Sequence, residues 1–349
     1  MTAHPLRQFA SDTWAGVCPE AIGALHEANS GHVNAYGDDH WTDRATAALR
    51  ELFETDCAAF FVPTGTAANA LALAGLCQSY HSVFCHTEAH IQTDECGAPE
   101  YASKGIKLIP LEGSHGMLAS LAIQKAAAQG RGVHSHKPGV LSLSLATEAG
   151  TLYSVDEIGA LGQVARELGL RVHIDGARFA NALATLKTPP KAITWQAGVD
   201  VLCFGGTKNG LAAADVIIFF NRDLANGFEY RRKQAGHLIA KMRFLTAPWA
   251  SVLESGAWLR HARHANAMAR LLADAVRGFP GMSVVHPVQA NAVFVEMPRQ
   301  TVAGMHRRGW HFYNIAGGER LMCSWDTQPA DIDAFVNDLR ALTPEGPPP

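Results

Sequence analysis

A chain of 349 residues with 48% apolar side chains is long enough for one large domain and a smaller companion, and too rich in core formers to be disordered. Its formal net charge of -3 offers no electrostatic footing for nucleic acid or an anionic membrane, and no apolar run is long enough to span a bilayer. Met1 to Thr13 lacks a basic region followed by an apolar core, so no signal peptide is expected and the protein is expected to be cytoplasmic.

Helical and strand-like segments alternate through the first two thirds. Phe60-Phe-Val-Pro-Thr-Gly-Thr-Ala-Ala-Asn69 runs from an apolar stretch into an Ala/Leu-rich helix, with Thr64-Gly65-Thr66 at the helix start. Free backbone N–H groups and the helix dipole favour a phosphate there, and the Thr64 and Thr66 hydroxyls add donors. Taken alone, the same triplet equally describes an ordinary capped helix. In Cys85-His-Thr-Glu-Ala-His-Ile-Gln-Thr-Asp-Glu-Cys-Gly97, His90 and Asp94 are four apart and share a face if the segment is helical. That pairing suits an imidazole stacked on a ligand ring beside a carboxylate turned to the substrate. His86 and His90 also have the spacing of a metal pair, but no third ligand is evident, so no metal site is expected.

Gly139 to Leu145 alternates apolar and polar residues and reads as a strand, followed by a helix from Asp156 to Leu168. Gly169 to Ile174, Asp200 to Phe204 and Ala214 to Phe220 read as further strands. Strands separated by helices predict a mostly parallel sheet covered on both faces. In His173-Ile-Asp-Gly-Ala-Arg178, Asp175 falls just past a strand, at the sheet edge where open α/β proteins bind ligands. A carboxylate there suits a protonated pyridine nitrogen, though it equally suits a helix cap. In Phe204-Gly-Gly-Thr-Lys-Asn-Gly210, Lys208 follows a buried strand among glycines that let the backbone approach a bulky ligand. A partly desolvated lysine is the amine nucleophile a Schiff base needs. A solvated lysine on a surface loop is the competing reading of that segment alone.

The last third mixes a long helical region, Trp249 to Gly278, with short strands at 282–286, 291–296, 310–314 and 320–325, a helix near 301–308 and a final helix from Ala330 to Leu342. This predicts a large domain over residues 1–250 and a small α/β domain over 251–349. The tail Pro344 to Pro349 is expected to fray. The seven cysteines are scattered and form no CxxC pair, so they are expected to be reduced, small and buried. Cys96 lies nearest the proposed chemistry.

In this order the segments resemble the threonine aldolase family of fold-type-I pyridoxal-phosphate enzymes, over Phe9 to Leu342. The markers are Ala10-Ser-Asp-Thr13, Tyr36-Gly-Asp-Asp39, Val62-Pro-Thr-Gly-Thr66, Ala89-His-Ile91 with Glu95 and Gly97, His173-Ile-Asp-Gly-Ala-Arg178 and Gly206-Thr-Lys-Asn-Gly210. The resemblance implies an aspartate-aminotransferase-like α/β fold and the cofactor pyridoxal 5'-phosphate. It implies that Lys208 carries the cofactor, Asp175 pairs with the pyridine nitrogen and His90 stacks on the ring. Gly65 and Thr66 hold the phosphate, and Thr207 joins the cofactor contacts. Ser11, Arg178 and Arg320 bind the substrate carboxylate, a role that suits a bidentate guanidinium. Lys233 and Arg243 are the candidates for basic residues lent to a neighbouring subunit's phosphate, with Tyr36 to Trp41 also contributing across the interface of a homotetramer. The implied reaction is retro-aldol cleavage of L-threonine, L-allo-threonine and related β-hydroxy-α-amino acids, L-phenylserine among them, to glycine and an aldehyde. Other fold-type-I chemistry, β-elimination or amino transfer, and a non-enzymatic regulator on the same scaffold are the alternatives. One departure stands out: the stretch Ala146-Thr-Glu-Ala-Gly150 puts Glu148 where family members carry a histidine near the substrate hydroxyl. The base that takes the hydroxyl proton is therefore open among His90, Asp94 (through His90 or water) and Glu148.

Overall fold

The computed structural model describes residues 7–343, so the expected fraying of Pro344 to Pro349 lies outside the described residues. Seven strands form the main sheet: β1 (Ala58–Val62), β2 (His81–His86), β3 (Lys107–Leu111), β4 (Lys137–Ser144), β5 (Arg171–Gly176), β6 (Val201–Gly205) and β7 (Asp215–Phe219). Their order is β1-β7-β6-β5-β4-β2-β3, and only β7 runs against its neighbours. Every residue of β6 and β7 is buried, as continuous apolar strands covered on both faces should be. The expected strands near Gly139, Gly169, Asp200 and Ala214 appear as β4 to β7, with ends shifted by one or two residues.

Local chemistry sets the helices. Val155–Glu167 opens on a capping box in which the Ser154 hydroxyl and the Glu157 carboxylate each take the other's backbone N–H. Gly65–Leu76 is capped by Thr64, whose hydroxyl accepts the Ala67 N–H, and each residue from Ala67 to Ala74 is buried. A helix apolar all round belongs inside a layered core, and this one brings its N-terminus to the sheet edge.

The second unit is a four-stranded antiparallel sheet in the order β10-β11-β9-β8, from β8 (Ser283–Val284), β9 (Ala292–Glu296), β10 (Tyr313–Ile315) and β11 (Gly318–Met322). Helices Arg299–Arg307 and Pro329–Leu342 accompany it. Its core joins Val293, Val295, Leu321 and Phe335 to Phe9 from the start of the chain. The Phe9 ring stacks on Trp310 at 5.5 Å, and the Phe9 backbone bonds His311 and Met322. The N-terminal segment therefore packs with the C-terminal unit.

The expected single helical region from Trp249 needs correction. There are two helices, Arg243–Glu254 and Ala257–Val276, separated at Gly256, which has φ 68°. Trp249, Val252, Trp258 and Ala262 all belong to the core of the main sheet. Ala269, Leu272 and Val276, further along the same helix, belong to the second core. The change of core thus falls inside Ala257–Val276. At the crossing, Asn181 Nδ2 donates to Asn266 Oδ1 at 2.9 Å, and Asn266 Nδ2 donates to the Asn181 carbonyl at 2.9 Å and to Thr185 Oγ1 at 3.0 Å. Among the described residues no helix is long and apolar enough to cross a membrane. Six cysteines are buried as expected, whereas Cys96 is exposed, with φ 51° in the turn after the short helix His90–Thr93.

Candidate active site

The C-terminal ends of β1, β2, β4, β5 and β6 meet at one edge of the sheet, around a cavity of about 240 Å³. Thr64, Gly65 and Thr66 reach it after β1, His90 after β2 and Glu148 after β4. Asp175 is the penultimate residue of β5, and Thr207 and Lys208 follow β6. These eight residues, drawn from stretches far apart in the chain and all singled out in the sequence, therefore share one cavity.

Asp175 is buried, with Oδ1 accepting the Ala177 N–H at 3.1 Å and Oδ2 accepting Asn69 Nδ2 at 3.0 Å. Two hydrogen bonds hold this carboxylate in place, and it has no ion-pair partner among the described residues. Below it lies a neutral layer. Burial pushes the His173 imidazole down to about 4, and its ring meets Ser142 Oγ at 2.9 Å and Cys203 Sγ at 3.3 Å.

Lys208 sits in the turn between the antiparallel strands β6 and β7, on a single 3-10 turn Thr207–Asn209. Asp215, at the start of β7, ties the turn down: its Oδ1 accepts the N–H of Gly206 at 2.7 Å and of Thr207 at 3.4 Å. Gly206 has no room for a side chain, since a Cβ there would lie 2.5 Å from the Ala214 carbonyl oxygen. Asn209 Nδ2 closes the far side on the Trp258 carbonyl at 2.7 Å. Burial pushes the Asp215 carboxyl up to about 6, against the pull of the two N–H donors and of Lys208. Asp215 carries no role in the sequence reading, where it is one residue of an apolar strand. A lone carboxylate entering an otherwise apolar run was the available signal.

The expected pairing of His90 with Asp94 is not what the structure contains. The helix His90–Thr93 is a single turn, and the chain leaves it at Asp94 (φ -128°, ψ 13°). Asp94 is exposed, and the next residue, Glu95, turns inward instead. Glu95 Oε1 meets His90 Nδ1 at 2.8 Å and accepts Asn69 Nδ2 at 2.8 Å. That bond from Glu95 raises the His90 imidazole above its ordinary value despite burial, and burial raises the Glu95 carboxyl.

The three residues assigned to a substrate carboxylate cluster around residues 10–12, beside the cavity wall formed by Thr13. Arg178 Nε and Nη2 form a fork on Asp12 at 2.8 and 3.0 Å. Asp12 is buried and also accepts Asn291 Nδ2 at 3.0 Å. Burial opposes the Asp12 charge, but the Arg178 guanidinium and these bonds hold the carboxyl below its ordinary value. Arg320 Nη2 donates to the Ala10 carbonyl at 3.1 Å, and its buried Nε has no partner among the described residues. Burial, and then repulsion from Arg178, push the Arg320 guanidinium down. Ser11 caps the 3-10 turn Asp12–Trp14 through its hydroxyl. Lys233 is exposed, with Nζ 4.5 Å from the centre of the Tyr36 ring, and lines a larger surface cavity of about 1300 Å³ that shares Thr64 and Thr66 with the first. Arg243 borders neither cavity; its Nη1 donates to the Gly31 carbonyl at 3.3 Å.

Comparison with known proteins agrees with this architecture. Residues 8–300 match the family model described as beta-eliminating lyase. A low specificity L-threonine aldolase of Pseudomonas aeruginosa is 54% identical over 98% of this chain and 99% of its own length. Another from a Pseudomonas species is 52% identical over 96% of this chain and 98% of its own. A Leishmania major threonine aldolase structure superposes with a TM-score of 0.90 at 26% identity, covering 97% of this chain and 99% of that one. A Sphingomonas wittichii serine palmitoyltransferase, at 14% identity and a TM-score of 0.69, shares the fold over 97% of this chain and 86% of that one. The chain thus belongs to the beta-eliminating lyase family and, within it, to the low-specificity L-threonine aldolases.

Proposed function

We propose that this protein is a lyase that cleaves β-hydroxy-α-amino acids to glycine and an aldehyde, with L-threonine and L-allo-threonine as substrates and L-phenylserine as a bulkier one, using pyridoxal 5'-phosphate carried on Lys208. The observation that carries the reading is the meeting of Lys208, Asp175, His90 and the Thr64-Gly65-Thr66 helix start in one cavity, in a chain so close to low-specificity L-threonine aldolases.

The residues fit the cofactor. Asp175 is a buried carboxylate without an ion-pair partner among the described residues, the environment a protonated pyridine nitrogen would complete. The first turn of Gly65–Leu76 offers unpaired N–H groups and a helix dipole to a phosphate. Gly65 leaves space at that position, where a Cβ would come no closer than 3.5 Å, to Asp215 Oδ2.

When bound, the cofactor supplies an electron sink for the pair left on Cα as the Cα–Cβ bond breaks. The chain supplies the rest. Lys208 offers the amine, held among glycines on a turn anchored by Asp215. Arg178 and Arg320 bring guanidinium groups to the side of the cavity where Ser11 and Thr13 lie, and they orient the substrate through its carboxylate. Fixing the carboxylate fixes which Cα bond is presented for cleavage. His90 takes the β-hydroxyl proton, since an imidazole is a better base near neutral pH than an ionised carboxylate such as Glu148. Asp94, exposed on the surface, has no part in this step.

Incubation with L-threonine, L-allo-threonine and L-phenylserine, following glycine and aldehyde release, tests the reading. Stoichiometric glycine and aldehyde are expected. Ammonia with a 2-oxo acid would mean β-elimination, and amino transfer to an added 2-oxo acid would mean a transaminase. The homotetramer is part of the same proposal, with Lys233 and the face around it buried against a second copy; sedimentation velocity reads the assembly directly.

A further inference from the structure

Two side chains, Glu95 and Asn69, link His90 at one end of the cavity to Asp175 at the other. The Glu95 side chain is fully buried, and its Oε1 meets both His90 Nδ1 and Asn69 Nδ2 at 2.8 Å. The same Asn69 nitrogen bonds Asp175 Oδ2 at 3.0 Å. An amide nitrogen has two hydrogens, so Asn69 gives one to each carboxylate and clamps two buried acids together. Its own Oδ1 and the second oxygen of Glu95 are buried and without partners among the described residues. Polar atoms left so costly are expected where function rather than stability fixes the arrangement.

We propose that Glu95 is a positioning residue for the cleavage, fixing the tautomer of His90 and, through Asn69, coupling the proton on His90 to the charge on Asp175. The inference rests on the reading of function given above. Ionised Glu95 can only accept, so it holds the proton of neutral His90 on Nδ1 and leaves Nε2 as a free acceptor. The imidazole is half-buried and lines the cavity, so that acceptor is available to the substrate hydroxyl. The hydroxyl proton then moves to Nε2. The O–H electron pair becomes the second bond of the aldehyde C=O, the Cα–Cβ pair stays on Cα, and a proton returned to Cα completes glycine. The imidazolium formed is balanced by Glu95, so the pair goes from one net negative charge to none. Asp175, joined to Glu95 by one amide, then faces one fewer negative charge while it keeps its own.

The charged groups that act on His90 come from four elements: Glu95 from the adjoining turn, Asp175 from β5, Lys208 from the β6–β7 turn and Glu148 after β4. Glu95 is the one in hydrogen-bond contact, and its effect is the largest of the four. The other histidine of the segment, His86, is turned to the Gly113 carbonyl at 3.0 Å and takes no part.

The test uses the holoenzyme and the variants Glu95→Gln, Glu95→Asp and Asn69→Ser. The first readout is the imidazole NMR titration of His90, assigned by its disappearance in His90→Asn. The second is the pH profile of kcat and KM for L-threonine. Glu95→Gln keeps the shape and removes the charge. It should move both the His90 titration and the acid limb of kcat to lower pH, reduce kcat by roughly ten- to a hundredfold and leave KM within about threefold. Glu95→Asp restores a carboxylate and should bring the limb back towards that of the wild type. Asn69→Ser keeps the His90–Glu95 bond, so the His90 titration should stay close to the wild type while the pH dependence of the cofactor's visible band changes. If Glu95→Gln folds and loses activity while His90 titrates as before, Glu95 is merely structural and the proposal is wrong. Should Glu95→Gln fail to fold, Glu95→Asp decides: an unmoved His90 titration and an unmoved acid limb overturn the proposal. If the wild type releases no glycine, the functional reading fails by itself, and the NMR titration still reports on the Glu95–His90 pair.

Discussion

Asp215→Asn separates the cost of the Lys208 turn from its use. Asp215 is buried and its carboxyl is raised from 3.8 to about 6 by burial. In the unfolded chain the group ionises at its ordinary value. Between the two values the folded state binds more protons than the unfolded state, so stability falls as pH rises through that window. The stabilisation is complete below 3.8 and lost above about 6, a difference of about 3 kcal/mol. Asparagine keeps an acceptor for the Gly206 and Thr207 N–H groups but cannot ionise. The variant should therefore gain on the wild type by about 3 kcal/mol as pH rises from about 4 to above 6, while losing activity because the anion beside Lys208 is gone. Urea unfolding of both proteins at matched cofactor loading, at acidic and at mildly alkaline pH, measures the gap. A gap independent of pH, or a variant that falls behind the wild type at alkaline pH, would refute the reasoning.

Other outcomes follow from the same geometry. Lys208→Ala should abolish glycine release and the visible band of lysine-bound cofactor, leaving the far-ultraviolet circular dichroism spectrum unchanged. Glu148→Gln should lower kcat by less than about tenfold, whereas His90→Asn should cost roughly a hundredfold or more; the reverse ranking in steady-state kinetics would make Glu148 the base. Asp12→Ala should destabilise the fold by about 3–5 kcal/mol in denaturant titration, because Arg178 is left buried without its anion. The contribution of Asp12 is present above the ordinary carboxyl value of 3.8 and is lost as pH falls through the lowered value in the folded protein, so the gap between the two proteins should close in acid.

The sheet and its ligand edge were legible because they are written in short-range pattern. Apolar runs such as those of β6 and β7 are buried throughout, and the glycines around Lys208 mark a tight turn. What escaped was set by geometry with no periodic signature. A helix of one turn breaks the four-residue spacing that pairs His90 with Asp94, and the carboxylate one residue later takes the inner place. Asn69 looked like the last residue of an alanine-rich helix start, because nothing local reveals that a helix packed under the sheet edge will aim its amide at Asp175. Asp12 lay within a recognised motif, but its partner is 166 residues away. The strands and helices of the small unit were legible in pattern, but not that its core borrows Phe9 from the far end of the chain.

The helix Ala257–Val276 carries side chains of both cores on one continuous rod, clasped near its middle by Asn266 on Asn181 and Thr185. Shared in this way, it leaves neither unit an independent melting step. Unravelling the rod for one removes a wall of the other, so the two behave as a single cooperative unit in the sense used for foldons. It also restricts how the enzyme admits substrate. With one helix common to both cores, entry falls to side chains along the cavity wall, Thr13 among them.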